Sequence, residues 1–96
     1  MFDVCARFGG EEFAIIMPGS NAESVATVAE RIRERIEAYR SPEPALLHVR
    51  VTVSIGIGVS SAQMSPRELI NRADQALYIA KRDGKNVVRA VGNDVA

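Results

Sequence analysis

The chain has 96 residues, of which 47% are hydrophobic and 25% charged, a composition that predicts one small globular domain and excludes disordered or collagen-like chains. Twelve Lys and Arg residues balance twelve Asp and Glu residues, so the formal net charge is zero. Proteins that grip a nucleic-acid polymer through its phosphates usually carry a basic surplus, so we expect no such partner; the balance is compatible with binding a single nucleotide.

Cysteine usage and hydropathy indicate the compartment. One cysteine, Cys5, excludes an internal disulfide and suits a reducing cytosol; we interpret it as a small buried strand residue. No apolar run approaches the length of a membrane span, and the acidic start at Asp3 is unlike a signal peptide. The sequence therefore predicts a cytoplasmic chain without membrane contact.

The N-terminal segment predicts a β-hairpin. Two runs of alternating apolar residues flank the glycine pair Gly9-Gly10, and these runs contain Val4, Ala6 and Phe8, then Phe13, Ile15 and Met17. Paired glycines tolerate the positive φ angles that tight turns require. Pro18-Gly19 ends the second strand.

A helix is predicted next, with Ser20 as N-cap and Glu23 at N3 in a capping-box pattern. Its apolar residues recur at steps of three and four: Val25, Val28, Ala29, Ile32, Ile36 and Tyr39. We expect the opposite, charged face to be mostly solvated, with Arg31 paired to Glu34 three residues later. That face carries Glu30, Arg31, Arg33, Glu34, Arg35 and Glu37.

Residues 49–59 predict a long strand, since Val and Ile occupy every odd position. Small or polar residues, including Gly56 and Gly58, occupy the even positions. This pattern indicates that something approaches the backbone closely on that face, either a ligand or a packed helix.

A second helix is predicted from the cap Ser65-Pro66-Arg67-Glu68 to Gly84, the expected C′ residue. Lys81 and Arg82 lie in its last turn, where the helix dipole favours cations. A short strand over residues 86–91 follows. The order strand, strand, helix, strand, helix, strand predicts an α+β sandwich.

The turn Gly9-Gly10-Glu11-Glu12 carries the clearest chemical pattern. Glycines allow a phosphate to reach main-chain N–H groups, and adjacent carboxylates can hold Mg²⁺ or Mn²⁺ with nucleotide phosphates as further ligands. Such an ion neutralises charge on a reacting phosphoryl group. By itself, the turn is equally compatible with a hairpin tip bearing two solvated glutamates.

Three motifs in order resemble the diguanylate cyclase, or GGDEF domain, family. The segment Arg7-Phe8-Gly9-Gly10-Glu11-Glu12-Phe13 resembles its signature, with Glu at the third position. Val53-Ser54-Ile55-Gly56 resembles a strand motif, and residues 73–86 resemble the last helix and following turn. The resemblance covers residues 3–91. It implies a partial palm-like fold, β-hairpin–α–β–α–β, related to the ferredoxin-like palm of adenylyl cyclases and polymerases.

The resemblance implies roles for the signature residues. Gly9 and Gly10 would approach the GTP phosphates. Glu11 would bind the catalytic Mg²⁺ (or Mn²⁺) and assist deprotonation of the attacking 3′-hydroxyl, and Glu12 would be a second metal ligand.

Two lysines would reach the triphosphate from the end of the last helix, namely Lys81 and Lys85. Ordinary charge capping of the helix C-terminus is the alternative interpretation of both. The family more often has Arg at the position of Lys85, so a bidentate grip on phosphate is lost here.

The resemblance also implies a product-inhibition site that binds cyclic di-GMP. Asp3 matches the Asp of its Arg-x-x-Asp motif, whose Arg would precede Met1. Arg31 matches an arginine that in some members contributes from a neighbouring molecule.

Two further elements precede the hairpin in the family: a strand whose Asp binds the metals, and a helical segment that reads guanine. We therefore expect residues 1–96 to be a single GGDEF domain truncated at its N-terminal side and inactive alone. The missing strand would lie between the hairpin and the 49–59 strand, so we expect a fragment or a self-associated, element-swapped form.

The function predicted from these motifs is condensation of two GTP to cyclic di-GMP by a homodimer, regulated by an upstream sensor domain in the parent protein. The alternative is a degenerate GGDEF module that binds GTP or cyclic di-GMP without turnover. A plain interaction domain is a third hypothesis.

Overall fold

The computed structural model describes residues 4–7, 13–16, 21–61 and 63–92. Its elements follow the predicted order, which confirms the partial α+β palm fold. They are strands β1 (Val4–Arg7) and β2 (Phe13–Ile16), helix α1 (Ala22–Ala38), a 3₁₀ turn (Pro44–Leu46), strand β3 (Ile55–Gly58), helix α2 (Pro66–Arg82) and strand β4 (Val88–Val91).

The strands form two separate pairs within the described part of the chain. β1 runs antiparallel to β2, with Val4 opposite Ile16 and Arg7 opposite Phe13, which confirms the predicted hairpin. β3 runs parallel to β4, and α2 is the crossover between them. The predicted fold is thus present as a hairpin and a β-α-β unit.

β3 is much shorter than the strand predicted over residues 49–59. A strand exists only where a neighbour supplies hydrogen bonds, and β4 is four residues long. The ladder extends at most to the bonds from Ile55 N–H to Val87 O (3.0 Å) and from Val59 N–H to Val91 O (2.9 Å). The side chains of Val49 and Val51 are 43% and 54% exposed, so the apolar alternation there covers no core.

α1 begins one residue later than predicted. Asn21 has an extended backbone, and its Oδ1 accepts a hydrogen bond from Ser24 N–H at 2.7 Å. Asn21 is therefore the N-cap, and the prediction of Ser20, which lies outside the described residues, is wrong. Asn and Ser are about equally good N-caps, so the sequence did not discriminate between them.

Both predicted ends of α2 are confirmed. Ser65 Oγ accepts from Glu68 N–H at 3.2 Å and donates to the Glu68 carboxylate at 3.1 Å. At the other end Gly84 has a φ of +114°, Lys85 N–H donates to Ala80 O at 3.0 Å and Gly84 N–H donates to Lys81 O at 3.4 Å. These two bonds form a Schellman motif.

α2 packs directly on the backbone of β3. A Cβ added to Gly56 would lie 2.5 Å from Ala73 O and 2.7 Å from Leu77 Cα, and one added to Gly58 would lie 2.6 Å from Leu69 O. Helix packing therefore explains the small-residue face that the sequence left open between a ligand and a helix.

The described core is small and consists mainly of alanine. The buried apolar residues are Ala29, Ile57, Ala76 and Ala80. Large apolar residues remain substantially exposed at the C-cap of α1, on α2 and in the segment before β3, namely Tyr39, Leu46, Leu47, Val49, Val51, Ile70 and Tyr78. Within the described residues, neither helix is long and apolar enough to cross a membrane.

Candidate functional site

The signature turn is the connection of the described hairpin. Arg7 pairs with Phe13, so residues 8–12 link the ends of two antiparallel strands. Gly9, Gly10, Glu11 and Glu12, like Asp3, lie outside the described residues, and their roles stay predictions. What the structure contributes is the hairpin frame on which those residues are carried.

The two predicted phosphate-binding lysines lie at the C-terminal end of α2. Lys81 occupies the last turn, and Lys85 follows Gly84 in the Schellman motif with a φ of +64°. Both side chains are exposed, and in the described ranges neither forms a salt bridge. The end of a helix carries partial negative charge, so an anion can bind there only if cations outweigh it, which these lysines can do.

Next to Lys85, Asn86 makes contacts that sequence reasoning missed. Its N–H donates to Ser54 Oγ at 3.1 Å. Its side-chain Oδ1 accepts from Arg33 at 3.0 Å, and its Nδ2 donates to Glu37 at 2.6 Å. The turn after α2 is therefore tied both to α1 and to the residue preceding β3.

Arg33 and Glu37 were expected on a solvated helix face, and that expectation is wrong for Arg33. Its side chain is 15% exposed, and its guanidinium also binds both carboxylate oxygens of Glu30 at 2.7 Å. The hydrogen bond from the Asn86 amide, with that from Arg33, lowers the pKa of Glu37. The hydrogen bond from Arg33 lowers the pKa of Glu30, and Glu30 in turn raises the pKa of Arg33.

An ion pair between Asp83 and Arg89 lies at the C-terminal end of α2. Arg89 Nε donates to the Asp83 carboxylate at 2.9 Å, and that bond lowers the pKa of Asp83. Asp83 is also near Arg82, whose Nε lies 3.6 Å from it. The charge of Asp83 is thus neutralised by arginines. Asp83 therefore does not offset the positive charge of Lys81 and Lys85.

Arg31 lies exposed on α1, as predicted for a residue that could meet a neighbouring molecule. The expected pair with Glu34 does not form; among the described ion pairs of α1, Arg33 is the arginine involved. The side chain of Arg33 lies between Glu30 and Glu37 on the side facing Asn86.

Metal binding would depend on the signature carboxylates. Over residues 21–61 and 63–92, together with the two described strands, no group of three or more His, Cys, Asp or Glu side chains could hold a metal ion. Glu11 and Glu12 offer hard oxygen donors of the kind that Mg²⁺ prefers, but they supply only part of an octahedral set. Substrate phosphates and further groups would have to complete it.

Comparison with known proteins agrees with this geometry. The family described as "Diguanylate cyclase, GGDEF domain" matches residues 2–87. The chain belongs to the GGDEF domain family. The match covers the hairpin, both helices and the Asn86 turn, which confirms the resemblance seen in the sequence.

Two curated relatives of this GGDEF domain are named as cyclases. It is 44% identical over 85 residues to the "Probable diguanylate cyclase DgcC" of Escherichia coli strain K12, covering 88% of this chain and 22% of that protein. It is 37% identical over 98 residues to "Diguanylate cyclase A" of Treponema denticola, covering 97% of this chain and 25% of that one. The chain thus spans a quarter or less of the length of these relatives.

The fold agrees with a crystal structure of the coiled coil and GGDEF domain of DgcB from Caulobacter crescentus in complex with c-di-GMP. The TM-score is 0.84 at 35% identity, and the match covers 93% of this chain and 48% of that one. The hairpin and β-α-β unit therefore have the arrangement of a GGDEF domain.

Proposed function

We propose that this chain is part of a diguanylate cyclase, which condenses two GTP to cyclic di-GMP. The 3′-hydroxyl of each GTP attacks the α-phosphate of the other, forming two phosphodiester bonds and releasing two pyrophosphates. The observation that supports this most strongly is the family match over residues 2–87, together with an intact Gly9-Gly10-Glu11-Glu12 turn.

In this proposal, the two glutamates bind the metal ion, and the glycines and lysines bind the substrate phosphates. Glu11 and Glu12 would hold Mg²⁺ or Mn²⁺, which supplies charge neutralisation at the reacting phosphoryl group. Glu11 would also help to take the proton of the 3′-hydroxyl. Gly9 and Gly10 would let phosphate approach their N–H groups, while Lys81 and Lys85 would bind the triphosphate at the end of α2.

A complete site requires more than residues 1–96 in this proposal. We propose that the strand between β2 and β3, with a metal-binding Asp, and the guanine-reading segment come from outside these residues, and that residues 1–96 are inactive alone. In support, the described β1–β2 and β3–β4 pairs share no ladder, and Val49 and Val51 beside β3 are exposed.

The active unit would be a symmetric, cytoplasmic homodimer, because each domain holds one GTP and the reaction joins two. An upstream sensor domain would set the activity. Asp3, with Arg31 from a neighbouring molecule, would bind cyclic di-GMP as an inhibitor. The exposed position of Arg31 supports its availability to such a neighbour.

The test uses the complete product of the encoding gene, incubated with GTP and Mg²⁺, with pyrophosphate and cyclic di-GMP measured together. We expect turnover, and we expect Glu11→Gln to abolish it. Glu34→Gln, the same change on the exposed face of α1, is the matched control and should have no effect. Full turnover by Glu11→Gln would refute the assignment. Nucleotide binding without turnover would favour the sensor hypothesis. If the protein neither binds nor turns over nucleotide, the interaction-domain hypothesis is the one that remains.

A further inference from the structure

Three consecutive residues after α2 have left-handed backbone angles. The φ values are +114° at Gly84, +64° at Lys85 and +53° at Asn86. Glycine adopts this region freely, whereas residues with a side chain are strained there by about 1–2 kcal/mol each. Strained residues of this kind persist where the surroundings hold them, and they often lie at functional sites.

The contacts that hold this turn come from three parts of the chain, namely α2, the residue before β3, and α1. Lys85 N–H is bound to Ala80 O of α2 at 3.0 Å, and Asn86 N–H is bound to Ser54 Oγ at 3.1 Å. The Asn86 side chain reaches α1, where it uses both its acceptor and its donor, on Arg33 at 3.0 Å and on Glu37 at 2.6 Å. Lys85 is therefore bracketed by fixed backbone on both sides although its own side chain is exposed.

Ordering a flexible lysine costs free energy and therefore opposes phosphate binding. A backbone that is already fixed reduces this cost. A helix C-cap needs only Gly84 and the two Schellman bonds, so the additional ties of Asn86 are not required to end α2. They fix the backbone on the C-terminal side of Lys85.

We propose that Asn86, clamped by Arg33 and Glu37 of α1 and by Ser54, is a positioning residue that directs Lys85 towards the GTP triphosphate. The proposal rests on the proposed function, because Lys85 is given its phosphate role there. Asn86 acts through Lys85 and does not itself need to touch the nucleotide.

The experiment is a double-mutant cycle in the complete gene product. Asn86→Gly removes the side-chain ties but tolerates the positive φ, and Lys85→Met removes the ammonium but keeps the aliphatic stem. The Kd for 3′-deoxy-GTP with Mg²⁺, a probe that cannot react at its 3′ position, is measured for the wild type, both single variants and the double variant. Turnover of GTP by the wild type is measured in parallel.

We expect Kd to rise about 10-fold for Lys85→Met and about 5-fold for Asn86→Gly, and we expect the double variant to be no weaker than Lys85→Met. Ser65→Ala is the matched control, since it removes a cap at the opposite end of α2: its Tm should fall while its Kd stays unchanged. A structural role alone would not produce non-additivity with Lys85.

The outcomes separate the two proposals. Additive effects, about 50-fold in the double variant, would overturn the positioning role even if the wild type makes cyclic di-GMP. A wild type that binds the analogue with the expected non-additivity but has no turnover would overturn the cyclase and keep the positioning role. A wild type that binds no nucleotide would overturn both. If Asn86→Gly does not fold, Arg33→Met, which removes one tie to Asn86 and keeps an aliphatic chain, takes its place in the cycle.

Discussion

Gly56→Ala tests how closely α2 lies on β3. The added methyl would lie 2.5 Å from Ala73 O and 2.7 Å from Leu77 Cα, and it would also meet Leu77 N. All three are backbone atoms, so no rotamer change relieves the contact and the helix itself must move by about 1 Å to restore van der Waals distances of 3.4 Å or more. Overpacking of this kind costs about 1–3 kcal/mol, and contact with rigid backbone puts Gly56 at the upper end.

The assay is thermal unfolding of the chain followed by far-ultraviolet circular dichroism. A loss of about 3 kcal/mol in a chain of this size corresponds to a fall in Tm of about 12–24 °C. Gly84→Ala is the control, because it adds the same methyl where no other atom lies within 4 Å, although at a φ of +114°. It should lose about 1–2 kcal/mol, from backbone strain alone. A Gly56→Ala variant as stable as Gly84→Ala would refute the close packing of α2 on β3.

Three further predictions concern single side chains. Ser65→Ala should reduce the free energy of unfolding by about 1 kcal/mol in denaturant titration, because Glu68 N–H loses its cap. The hydrogen bond from Asn86 lowers the pKa of Glu37 below its ordinary 4.5, so the stability from that carboxylate is complete above that pH and is lost as the pH falls through the folded-state pKa. The Tm of the wild type should therefore fall more steeply than that of Glu37→Gln below about pH 4.5. Arg31→Ala should raise the cyclic di-GMP concentration needed to inhibit GTP turnover, whereas Arg35→Ala, an exposed control on the same helix, should not.

Much of the fold was predictable because its signals are local. The Ser65 cap, the Gly84 stop and the glycine pair of the hairpin each act within a few residues, so their physical chemistry is visible in the sequence. The close approach at Gly56 was also visible, as a run of small residues on one face. The structure was needed only to show what makes this close approach, namely α2.

The extent of β3 was not predictable in the same way. The alternation of Val and Ile over residues 49–59 expresses a preference for extended backbone, but a strand also needs a partner, and the partner is set by tertiary structure. The ladder begins where Ile55 lies opposite Val88, the first residue of β4, and Val49 precedes it with an exposed side chain. The pattern therefore showed which segment favours an extended backbone, and four of its residues form strand β3 in the structure.

The candidate site shows the same division. The positions of Lys81 and Lys85 at the end of α2 were predictable, because a helix end is a local feature, whereas their phosphate role came from the family resemblance and stays a prediction. The bond between Arg33 and Asn86 joins residues 53 apart in sequence, and it depends on how α1 lies beside the turn after α2. The available signal was small: Asn is the residue other than Gly that most readily adopts left-handed angles, and here it follows a Gly-Lys pair.

The small core and the turn at residues 84–86 show which part of this chain is held by contacts among its own described residues. Ala76 and Ala80 are completely buried, so α2 is held by close backbone contact with β3 and by its caps at Ser65 and Gly84. That part of the chain, which carries both lysines, is ordered by contacts that are already present. The segment before β3 differs, because Leu47, Val49 and Val51 are about half exposed, and burying the remainder would stabilise the fold by roughly 0.7–1.5 kcal/mol each. An element that packs along residues 47–51, such as the strand proposed above, would therefore gain apolar contact there, whereas the turn at Lys85 is held by contacts within the described residues.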